Sequence, residues 1–123
     1  MARHPNAIQT LATSLRQLPF LSGRRDLGGE ARLYVQRALT AAAEERYDVA
    51  LVFCDKALVA DPTNLAARLL VGRIYHHAVE DVDRAVAAYR KVITLSGYDA
   101  DNPYCAAARQ ALDALVKNVE EDA

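Results

Sequence analysis

The stretch "YDVALVFCDKALVADP", Tyr47 to Pro62, holds almost no side chain able to do chemistry, yet its small residues recur at fixed intervals. Ala50, the bulkier Cys54 and Ala57 fall on one stripe of an α-helix, and Asp61 with Pro62 ends it. Helices packed at about 8–10 Å leave room only for small side chains where they cross. The stretch therefore reads as one arm of a closely packed helical hairpin.

Working outward, helical period continues in both directions, and nothing alternates in the manner of a half-buried strand. Upstream, a helix is predicted from about Glu30 to Ala43, joined to the first stretch by the charged turn "EER". Downstream, Thr63 or Asn64 can cap a third helix reaching about Ala78, and Asp81 a fourth ending near Leu95, where Ser96 and Gly97 form a stop. Asp101 or Asn102 caps a last helix over about 103–119 with Pro103 in its first position, where proline costs least. Near the N-terminus, Ile8, Leu11, Leu15 and Leu18 form an apolar stripe that stops at Pro19. "PFLSGRRDLGG" then has the composition of a joint, with Phe20 and Leu21 as its apolar side chains. The expected class is all-α with six helices: residues 1–28 form an N-terminal helix and linker, and 29–123 the main domain.

The main domain repeats. Ala38 recurs as Gly72 thirty-four residues on, while Ala50, Cys54, Ala57 and Pro62 recur as Ala85, Tyr89, Val92 and Gly97, each thirty-five on. One residue has been inserted in the second hairpin, which we place in the turn "VEDVD".

This pattern resembles the tetratricopeptide repeat family over about residues 31–98, in units of about 31–64 and 65–98. In that family small residues let paired helices approach, a large one fills the space between them, and proline ends the unit. Arg37 and Ala41 depart from the usual leucine and tyrosine, Val92 is larger than the usual alanine, and Gly97 replaces proline. The resemblance implies a tetratricopeptide-like α-solenoid of two hairpins. Such arrays need about three units or dedicated caps. The last helix suits a cap, with Tyr104, Ala108, Ala111, Leu112, Leu115 and Val119 on one side and Arg109, Gln110, Asp113, Lys117 and Glu120 on the other.

The resemblance also implies a concave groove lined by the first helix of each hairpin. In this chain those places hold Arg32, Val35, Leu39 and Ala42, then Ala66, Leu69, Arg73 and His76, with Asn102, Cys105, Arg109 and Leu112 in register on the last helix. We expect Arg32, Val35, Leu39, Leu69, Arg73, His76 and Arg109 to receive a peptide or amphipathic helix with apolar anchors and acidic flanks. One subgroup of the family clamps a C-terminal carboxylate with lysines and asparagines; Val35 and Leu39 stand there instead, so chaperone-tail binding is not expected. Alternatively Val35, Leu39 and Leu69 are core, covered by Phe20, Leu21 or the stripe carrying Leu11, Leu15 and Leu18. If that segment fills the groove until a partner displaces it, deleting residues 1–28 strengthens partner binding.

Chemistry finds little support. His76 with Glu80 and His77 with Asp81 have metal-ligand spacing, but adjacent histidines on an α-helix point apart, and histidines in a last turn interact well with the negative helix end. No serine, histidine and acid stand in a nucleophilic order, and no glycine-rich loop follows a strand. The 15 Lys and Arg against 16 Asp and Glu give no field for nucleic acid or anionic membrane. Apolar runs fall far short of the roughly 18 residues of a membrane span, and the N-terminus lacks a signal core. Two cysteines without CxxC spacing read as packing thiols. Abundant alanine and a heavy excess of arginine over lysine fit a GC-rich bacterial source. The expectation is a cytoplasmic, non-enzymatic adaptor or scaffold that binds another protein and carries no cofactor. Its rivals are a structural homo-oligomerisation element and, more weakly, a metal or small-ligand sensor using the histidine pair.

Overall fold

The computed structural model describes Leu11 and residues 29–122. Among these the fold is all-helical, without a strand: α1 (Gly29–Ala43), α2 (Tyr47–Ala60), α3 (Leu65–Arg73), α4 (Val82–Leu95) and α5 (Pro103–Asp122). The predicted bounds hold to within a residue except at two ends: α5 runs on to Asp122, past the expected 119, and α3 continues as a π-helical turn over Ile74–Val79 where an α-helix was expected. Of the N-terminal helix only Leu11 is described, and it is helical. Leu15, Leu18, Phe20 and Leu21 lie outside the described residues.

Helices α3, α4 and α5 each start on a side-chain acceptor, whereas α2 starts at Arg46 without one. Asn64 Oδ1 takes the Ala67 amide at 2.9 Å in a buried setting, Asp81 Oδ1 takes that of Arg84 at 3.1 Å, and Asn102 Oδ1 takes those of Tyr104 and Cys105. Thr63 is not the cap; its amide and hydroxyl both donate to Asp61 Oδ1, which shapes the turn before α3. Helix α4 stops in a Schellman arrangement, the Tyr98 amide reaching Ile93 O and that of Gly97 reaching Thr94 O, with Gly97 at φ 70°.

The same device ends α1, with Glu45 at φ 65° in the glycine position and the Arg46 amide bonded to Ala41 O five residues back. After α3 the left-handed residue is Glu80, φ 63°, and the Asp81 amide reaches Tyr75 O six residues back. Here the thirty-fifth residue of the second unit is absorbed. Glu45 and Glu80 are already thirty-five apart while Ala38 and Gly72 are thirty-four apart, so the insertion lies inside the helix rather than in the turn "VEDVD".

Short connections fold α2 back on α1 and α4 back on α3, and α5 packs against α4. Contacts also join α1 to α3 and α3 to α5, so these three helices succeed one another along one side. The matched pairs Ala38/Gly72, Ala50/Ala85, Cys54/Tyr89 and Ala57/Val92 are buried in both hairpins. One core cluster gathers Val35, Leu69, Tyr89 and Val92 with the inner face of α5; the other gathers Leu11, Ala38, Ala42, Cys54, Leu70 and Ile74. On α5, Cys105, Ala108, Ala111 and Leu115 face in while Arg109, Gln110, Asp113 and Lys117 face out. Among the described residues no helix is long and apolar enough to cross a membrane.

Candidate partner-binding site

The residues expected to line a groove divide by chemistry. Val35 and Leu69 are 1% and 0% exposed, and Ala42, Ala66 and Cys105 are buried with them. Leu39 is half-buried and packs against both clusters. Val35 and Leu69 are therefore core rather than an open floor, while Phe20 and Leu21, expected to cover them in the alternative reading, lie outside the described residues. Arg32, Arg73 and His76 are half-buried and Arg109 is exposed, so the accessible part of this side is predominantly basic and polar. Leu11, 1% exposed, shares a buried cluster with Ala42, so part of the N-terminal stripe is packed on the main domain.

Arg73 and His76 belong to one constellation with His77 and Tyr89. The fully buried Tyr89 ring comes from α4 and lies across Gly72, where a Cβ would stand 2.6 Å from Cε1. Its hydroxyl emerges at the π-turn, 3.0 Å from His76 Nδ1, and accepts a hydrogen bond from Arg73. A phenol has one proton. The phenol either gives it to Nδ1 or accepts from an Nδ1–H, according to the His76 tautomer. His76 meets Tyr89 edge-on, with centroids 5.8 Å apart, and stacks on His77 at 3.9 Å and 14°.

That stacking overturns the argument that the two histidines point apart. An α-helix turns successive side chains by about 100°, whereas a π-helical turn has more residues per revolution and brings neighbours closer in azimuth. The sequence carried the signal in its thirty-five-residue spacing, but not its location.

Burial first, and then the Arg73 charge, lower the His76 pKa to about 4; burial, His76 and Arg73 lower that of His77 to about 3. Both rings are neutral at pH 7. Burial raises the Tyr89 hydroxyl and lowers the Arg73 guanidinium from their ordinary values. Two buried nitrogens, Arg73 Nε and His77 Nε2, have no hydrogen-bond partner. Among the described residues no group of three or more His, Cys, Asp or Glu side chains could hold a metal ion. Neutral imidazoles beside a cationic guanidinium provide donors for a carboxylate or carbonyl oxygen.

No protein-family model, no curated protein and no solved structure matches the chain.

Proposed function

We propose that the chain is a tetratricopeptide-like repeat module, two stacked hairpins closed by α5, that works without catalysis as an adaptor or scaffold for another protein in the cytoplasm. Repeated burial of small residues at the same positions of both hairpins, and the succession of α1, α3 and α5 along one side, support this architecture. The partner docks on that side. Its anchor is an acidic side chain or carbonyl group received by Arg73 and the histidine pair, with Arg32 and Arg109 orienting its flanks. The observation that carries this reading is the half-buried Arg73 guanidinium set beside the stacked histidines on that side, a cation placed to orient an acidic or carbonyl group of the partner. Burial of Leu11 supports an N-terminal segment that competes for the same side.

The test is a pull-down from source-cell lysate with wild-type, Arg73→Glu and Arg109→Glu baits of equal helicity. Arg109 is exposed, so its reversal leaves the core intact. A partner held by the wild type and lost by both variants supports the reading. One retained by both variants moves the site elsewhere.

A further inference from the structure

The outer side of the α1–α2 pair carries a second surface, independent of the side just described. In the second hairpin Ala67, Leu70 and Ile74 are buried. Their counterparts thirty-four residues earlier are Leu33, Gln36 and Thr40, and there the face is open: Leu33 is 45% exposed, with Val52 at 52% and Val59 at 84% nearby on α2. The cleft between α1 and α2 holds two depressions, of about 290 Å³ and about 410 Å³. Phe53 borders one and Tyr34 the other, and these two rings stack on each other at 6.3 Å, so the pair marks the middle of the face.

The charges lining the two halves are mirror inventories. One half has Arg37, Arg46 and Glu44; the other has Glu30, Asp55 and Lys56. Two cations and one anion stand against two anions and one cation. A two-fold axis through the Tyr34–Phe53 pair would lay each half on the opposite half of a second copy, matching every sign. We propose that this face is the interface of an isologous homodimer, in which Leu33, Val52 and Val59 are covered and Arg37 and Arg46 face Glu30 and Asp55 of the partner subunit. A heterologous, head-to-tail contact is a poorer fit, because the opposite end of the molecule is the polar outer face of α5.

Sedimentation of the full chain over a range of concentrations tests this, with Val52→Asp, Arg37→Glu and the charge-exchange double variant Arg37→Glu/Glu30→Arg. All three positions are exposed, so helicity should be unchanged. The wild type is expected to dimerise. Val52→Asp and Arg37→Glu should each weaken the dimer by about tenfold or more, since every substitution enters a two-fold interface twice, and the double variant should recover most of the Arg37→Glu loss. A monomer at every concentration, or a dimer indifferent to Val52→Asp, would overturn the proposal and leave the face to the chain's own N-terminal segment or to another protein. A dimer broken by Val52→Asp but not restored by the charge exchange would overturn the two-fold pairing.

Discussion

Gly72 and Tyr89 are built for each other: the tyrosine ring occupies the space a Cβ at position 72 would need, 2.6 Å from Cε1 and 2.8 Å from Cδ1. Ordinary van der Waals contact begins near 3.4 Å. The ring cannot withdraw easily, because its hydroxyl is held by His76 and Arg73. Gly72→Ala gains about 1 kcal/mol of helix propensity but overpacks the crossing, which costs about 1–3 kcal/mol. A net loss of stability is expected on urea unfolding, larger for Gly72→Leu. Combining Gly72→Ala with Tyr89→Leu should recover part of it, and a double-mutant cycle measures that coupling.

The Tyr89 hydroxyl links two side chains. Tyr89→Phe keeps the ring over Gly72 but removes the hydrogen-bond partner of His76 Nδ1 and an acceptor from Arg73, adding to the unsatisfied nitrogens already there. We expect a loss of about 1–3 kcal/mol in chemical denaturation, without loss of helicity. An unchanged midpoint would mean that water replaces the phenol at no cost.

The histidine pair makes stability depend on pH with a definite sign. Both imidazoles have folded-state pKa values below the unfolded value of 6.5, about 4 for His76 and about 3 for His77, so the unfolded chain takes up protons first as pH falls. Their contribution is intact above pH 6.5 and is lost as pH drops from there toward 4 and 3. Carboxylates titrate in the lower part of this window, so the informative quantity is a difference. The gap in Tm between wild type and His76→Gln/His77→Phe should narrow or reverse on acidification from pH 7 to about 5.

Glu45 and Glu80 hold left-handed backbone at φ 65° and 63° without glycine's freedom. Both are exposed. Glu45→Gly and Glu80→Gly should each stabilise by roughly 0.5–1 kcal/mol, read as a raised Tm.

The repeat was legible because close helix crossings constrain side-chain size, and size is written directly in Ala38, Gly72, Ala50 and Ala85. The cap at Asp81 was legible for a similar reason, and those at Asn64 and Asn102 to within a neighbouring residue, since a short acceptor before an apolar stripe has few other uses. The π-turn was not. Its only trace is a repeat one residue longer, and an extra residue can sit in a loop or inside a helix at little difference in composition. Nor could the sequence say whether Val35 and Leu69 form an open floor or a core, because both place apolar residues at the same helical period. The Arg73–His76–His77–Tyr89 constellation was half legible: Arg73 and His76 follow from register, whereas His77 joins them only through the π-turn.

We propose that a protein partner is received on the side where α1, α3 and α5 succeed one another. The most direct measurement is site-specific photocrosslinking in source cells, with the photoreactive residue placed at 39, 76 or 109 on that side and at 87, an exposed position of α4, as the control. One and the same crosslinked protein is expected from positions 39, 76 and 109 and none from 87. Crosslinks from 87 with silence at the other three would contradict it.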